Sequence, residues 1–131
     1  MLSIFIRRTF STTTPKLGQA VNKLGTIVER GDIDFQQTLK ASGTTPVVVD
    51  FYADWCGPCR MLAPVLKKEI DIPSPKTFLV KVNVDEAILT AQKYDIASLP
   101  TVGIFKDGEL VDKFVGLKDA KFVREFIDKH C

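Results

Sequence analysis

From Gly25 onward the apolar residues alternate between strand-like and helix-like spacing, the pattern of an α/β fold. Thr26-Ile27-Val28 is a short candidate strand. Asp32 stands where it can cap a helix carrying Phe35 and Leu39 and ending near Ser42-Gly43. Pro46 to Tyr52 is a nearly continuous apolar run rich in β-branched residues, so it reads as a central strand covered on both faces. A helix follows from about Cys56 or Cys59, with Leu62, Val65, Leu66 and Ile70 facing inward. Pro64 lies inside it and should bend the axis, and Pro73 and Pro75 end the element.

Thr77 to Val84 is the next strand, with Phe78, Val80, Val82 and Val84 on one side, and Ala87 to Tyr94 reads as a helix. Thr101–Phe105 and Leu110–Val115 flank Lys106-Asp107-Gly108-Glu109, whose Asp-Gly pair signals a hairpin. Asp119 can cap a last helix with Phe122, Val123, Phe126 and Ile127 on its core face. The order is β-α-β-α-β-α-β-β-α, one domain over 25–131, with no internal repeat.

Composition adds a boundary. The chain has 131 residues, 45% of them hydrophobic, and a formal charge of +2. That balance gives no reason to expect nucleic-acid or membrane-surface binding, and a monomer is expected. The charge is not evenly spread. The first 28 residues carry Arg7, Arg8, Lys16 and Lys23 and no acid, and the remainder is net acidic. Residues 1–24 therefore have the composition of a mitochondrial transit peptide and leader. On a helix Leu2, Phe5, Ile6 and Phe10 gather on one side, with Arg7 and Arg8 turned away. Arg8-Thr9-Phe10-Ser11 resembles a processing site, with cleavage after Phe10. A membrane span is a weaker reading because the apolar run ends at Arg7, and a secretory signal is weaker because Thr9 to Thr14 follows the arginines. The expected compartment is the mitochondrial matrix, with chloroplast import and an untargeted tail as the competing readings.

The candidate chemistry is Trp55-Cys56-Gly57-Pro58-Cys59. Cysteines three apart on a first helical turn are neighbours. The helix N-terminus, with unpaired N–H groups and a partial positive charge, favours thiolate over thiol. Cys56, at the outer end, is the candidate nucleophile, and Cys59, one turn in, the resolving thiol. Gly57 and Pro58 suit the turn into the helix. Half of a zinc site is the competing reading, and its remaining ligands would have to be His130 and Cys131 at the far terminus. No metal is expected. Haem attachment would need histidine where Arg60 stands.

The block Val49 to Met61 resembles the active-site segment of the thioredoxin family, and the similarity runs from about Gly25 to the C-terminus. Gly-Pro between the cysteines is the thioredoxin version, where disulfide isomerases usually have Gly-His. Ser98-Leu99-Pro100-Thr101, Lys106 to Glu109 and Val115-Gly116 match further landmarks. The resemblance implies the thioredoxin fold, a central mixed five-stranded sheet flanked by four helices. It implies a protein-disulfide reductase that binds no cofactor, works through a Cys56–Cys59 disulfide and draws electrons from NADPH through thioredoxin reductase. Its targets would be disulfide-containing proteins such as peroxiredoxins and methionine sulfoxide reductases.

The resemblance also assigns roles. Asp50 would be a buried carboxyl exchanging a proton with Cys59, and burial should raise its pKa. Lys81 would neighbour that carboxylate, Pro100 would be a cis-proline whose backbone polar groups meet the substrate, and Trp55, Leu99 and Gly116 would complete the apolar docking surface. Taken alone, Asp50 could be a strand-edge residue, Lys81 a surface residue, Pro100 a loop proline and Trp55 a core aromatic. Tyr52 stands where many members have tryptophan, and Cys131 is an extra thiol to which no role is assigned. An oxidase or isomerase, and a purely structural binding module, are the alternative functions.

Overall fold

The computed structural model describes residues 23–131, so the expected leader, apart from its last two residues, and the expected cleavage after Phe10 lie outside the described residues. Five strands, β1 (Ile27–Glu29), β2 (Val47–Tyr52), β3 (Phe78–Asn83), β4 (Thr101–Lys106) and β5 (Glu109–Val115), form one sheet in the order β1-β3-β2-β4-β5. The first three are mutually parallel, and β4 and β5 are antiparallel to their neighbours. Helices α1 (Phe35–Ser42), α2 (Gly57–Ile70), α3 (Ile88–Lys93) and α4 (Ala120–His130) complete the element order read from the sequence.

The two-residue period of β2 divides the core. Val47, Val49 and Phe51 join Phe35, Leu39, Phe78, Val80 and Val82 under α1 and α3. Val48 joins Leu62, Leu66, Ile70 and Ile127 under α2 and α4. Asp50 and Tyr52 follow Val48 in phase, so the carboxyl of Asp50 is carried into the α2 side of an otherwise apolar layer. Arg124 fastens α4 to α2 through its Nε, 2.8 Å from Glu69 Oε1, and through a further bond to the Glu69 carbonyl.

Two expectations need correction. Asp32 does not cap α1. Its carboxylate accepts from the N–H of Leu89 at 3.2 Å, and from the N–H and hydroxyl of Thr90 at 2.7 and 2.8 Å. It therefore satisfies the first turn of α3, whose own N-cap, Ala87, has no side-chain acceptor. Desolvation raises the Asp32 pKa, but these three bonds outweigh it and leave the group lowered. Phe122 is 40% exposed, although the helical spacing puts it on the core face. It lies at the rim, where its ring meets Phe114 edge-on at 5.2 Å. Helix α2 ends at Ile70 with Asp71 as its C-cap, two residues before Pro73, as the prolines lead one to expect.

Candidate active site

Strand β2 runs directly into the redox pair. After Tyr52 the chain turns so that the Cys56 N–H bonds the Ala53 carbonyl at 3.2 Å, and Cys56 becomes the N-cap of α2. Pro58 suits the first turn, where a missing N–H breaks no helical bond. Cys56 and Cys59 form a disulfide, with their Cα atoms 5.3 Å apart. The Cys59 N–H points at Cys56 Sγ from 3.2 Å, so an N-terminal helix donor addresses the outer sulfur.

Both cysteines are largely covered, 5% and 3% exposed, so exposed area does not distinguish them. Their surroundings do. Cys56 lines an open, mainly apolar hollow of about 450 Å³ together with Trp55, Val84, Ile96, Ala97 and Leu99. Cys59 lines a separate hollow of about 140 Å³ with Asp50, Tyr52, Asp54, Arg60 and Lys81. One cysteine faces a surface suited to another polypeptide, and the other faces ionisable groups.

Asp50 is 1% exposed, and its Oδ1 has no hydrogen-bond partner. Burial pushes its pKa from 3.8 to about 7, with Lys81 opposing the rise and Glu29 adding to it. Lys81 is directly across the ladder from Asp50. No ion pair closes between them, and the Lys81 ammonium lies over the Tyr52 ring, 4.5 Å from its centroid.

Trp55 is 70% exposed, a surface aromatic whose Nε1–H donates to Asp85 Oδ2 at 2.9 Å. The Leu99–Pro100 peptide bond is cis. The carbonyl of Pro100 accepts from the Gly116 N–H at 2.8 Å, and proline has no N–H, so Pro100 itself offers little to a strand laid against it. Among the described residues the N–H and carbonyl of Leu99, beside the cis-proline, have no partner. Gly116, at φ +94°, adopts the left-handed backbone that glycine takes up without strain as the chain leaves β5.

The structure thus gathers Trp55, Cys56, Gly57, Pro58 and Leu99 at one hollow and Asp50, Cys59 and Lys81 at the other, with Pro100 and Gly116 bonded behind Leu99. Val84, Ile96 and Ala97 in the apolar hollow, and Asp85 bonded to Trp55, are not singled out by the sequence. The first three are ordinary apolar residues, and only three-dimensional proximity to Cys56 sets them apart. No cluster of possible metal ligands occurs among the described residues.

Residues 26–129 match the thioredoxin family model. The chain belongs to the thioredoxin family. It is similar to the thioredoxin of Staphylococcus epidermidis, 45% identical over 104 residues that make up 79% of this chain and 97% of that one. The thioredoxin of Chlamydia pneumoniae is 46% identical over 65% of this chain and 82% of its own. Among solved structures, Malassezia sympodialis thioredoxin superposes with a TM-score of 0.72 at 36% identity, covering 83% of this chain and 93% of that one. Spinach chloroplast thioredoxin f gives a TM-score of 0.78 at 28% identity, covering 88% and 93%. Family membership and the Cys56–Cys59 disulfide make this chain a protein-disulfide oxidoreductase.

Proposed function

We propose that this thioredoxin-family chain works as a reductant of protein disulfides in the mitochondrial matrix, recharged from NADPH by a thioredoxin reductase. The observation that carries the assignment of the two thiols is the separation of the cysteines between an apolar hollow and a polar hollow holding Asp50. In the reduced protein the Cys56 thiolate attacks one sulfur of a target disulfide. A Cys56–target bond forms, and the other target sulfur leaves as a thiolate and takes up a proton. Ionised Asp50 accepts the Cys59 proton. The Cys59 thiolate then attacks Cys56 Sγ, closing the internal disulfide and releasing the second target thiol.

Docking uses Trp55 as a flat apolar wall and the unpaired backbone groups of Leu99 as a strand-like edge, held in place by Pro100 and Gly116. Lys81 moderates the charge on Asp50. Peroxiredoxins and methionine sulfoxide reductases fit the target class, since their cycles leave protein disulfides to be reduced. NADPH oxidation coupled through thioredoxin reductase to insulin-disulfide reduction tests the function. The chain is expected to support steady turnover, and a rate no higher than with the reductase alone would refute the reading.

The acid-free leader supports the compartment. Isolated, energised mitochondria are expected to take up the full-length chain and shorten it, with both effects lost when the membrane potential is collapsed. A protease-accessible, unshortened product would contradict matrix import.

A further inference from the structure

Three ionisable residues form a row across the sheet beside the polar hollow. Parallel pairing sets Glu29 on β1 opposite Lys81 on β3, and Lys81 opposite Asp50 on β2. Facing positions on neighbouring strands are about 5 Å apart, so the Lys81 ammonium has a carboxyl group on either flank. It closes an ion pair with neither. Its Nζ sits over the Tyr52 ring, and the Tyr52 hydroxyl donates to Glu29 Oε1 at 2.8 Å. Tyr52 therefore touches both members of the row that are not Asp50. Its pKa is raised, by burial first and by the Glu29 bond second, so the hydroxyl remains a donor throughout the working pH range.

We propose that Tyr52 and Glu29 are positioning residues for Asp50: Tyr52 fixes the Glu29 carboxylate and seats the Lys81 ammonium on its ring, so that Lys81 is shared between two carboxyl groups instead of closing on one. A lysine closed on Asp50 would hold it ionised far below neutral pH, where it could no longer carry a proton. The remaining surroundings of Asp50 do not replace this arrangement. Helix α2 contributes Cys59 and Arg60 to the hollow, the turn before it contributes Asp54, and β4 faces Asp50 with the apolar Val102. Arg60 is engaged elsewhere, its Nη1–H donating to the Asp54 carbonyl. The inference rests on the reading of Asp50 as the proton-exchanging group.

The test follows the Asp50 carboxyl carbon by NMR titration in the oxidised full-length chain, in wild type, Glu29→Gln, Tyr52→Phe and the double variant. Glu29→Gln is expected to lower the Asp50 midpoint by about half a pH unit, because one of the two charges competing for Lys81 is gone. Tyr52→Phe keeps the ring but frees Glu29, so it should move the midpoint the same way by less. The double variant should fall no further than Glu29→Gln alone, since the hydroxyl acts only through that carboxylate. Because Glu29 is exposed, the shift should shrink as salt is added. An unmoved or raised midpoint in Glu29→Gln, or single shifts that simply add, would overturn the proposal. The proton-exchange reading fails separately, if Asp50→Asn reduces insulin with the wild-type rate and pH profile.

Discussion

Cys56→Ser is expected to bring insulin-disulfide reduction down to the uncatalysed rate, and Cys59→Ser to stop the same reaction one step later. A serine hydroxyl has neither the acidity nor the nucleophilicity to attack a disulfide near neutral pH, so without the Cys56 sulfur no bond to the target forms. Removing the Cys59 sulfur leaves that first attack intact. Cys56 keeps its place as N-cap of α2, with the residue-59 N–H aimed at its sulfur. What is lost is the intramolecular thiol that releases the target, an advantage of proximity that free thiols in solution match only at very high concentration. Cys59→Ser should therefore accumulate as a covalent adduct of defined mass, released by dithiothreitol, whereas Cys56→Ser should form none. Adducts on Cys56→Ser, or normal turnover by Cys59→Ser, would reverse the assignment of the two thiols.

The second large effect is on stability and depends on pH. The folded protein holds the Asp50 proton up to about pH 7, whereas an unfolded chain releases it near 3.8. Between these values the folded state carries more protons than the unfolded state, so stability declines as pH rises and levels off once Asp50 is ionised in both. A displacement of about three pH units corresponds to about 4 kcal/mol, large against the 5–15 kcal/mol typical of a domain. Asp50→Asn removes the titration. Denaturant unfolding of the oxidised proteins should show the variant gaining on wild type by about 4 kcal/mol from pH 4 to pH 9. Any constant difference between an amide and a carboxylic acid cancels in that comparison. Parallel stability curves would mean that Asp50 does not titrate as its burial requires.

Much of this was legible because the relevant signals are local. The period of two in β2 and β3, the Asp-Gly hairpin and the Asp119 cap, whose Oδ1 accepts from the Phe122 N–H at 2.9 Å, each depend on residues close in sequence. The approach of Asp50 to Cys59 was reached only through family resemblance, since a valine-rich strand by itself does not reveal what packs over an acid. The failures were long-range. Asp32 carries every local mark of a cap for α1, yet it serves α3, 57 and 58 residues away, because the neighbouring Ala87 cannot. Phe122 fits the apolar stripe of α4, but that helix reaches the edge of the sheet and exposes one ring. The Tyr52–Glu29 bond spans 23 residues and depends on the β1–β3 register, which appears only when the sheet is assembled.

The loop carrying Leu99 is tied down on both sides before any target arrives. Gly116 N–H holds the Pro100 carbonyl, and the Thr101 hydroxyl holds the Ser98 carbonyl at 2.6 Å. In the proposed docking mode, a target segment laid along Leu99 would meet an edge whose conformational entropy was already surrendered on folding, and most of the ordering would fall to the target. Such an edge can accept many sequences through a few main-chain bonds while gripping none of them tightly. In the proposed reductant cycle this would limit residence time: contact long enough for two successive sulfur exchanges, followed by prompt departure.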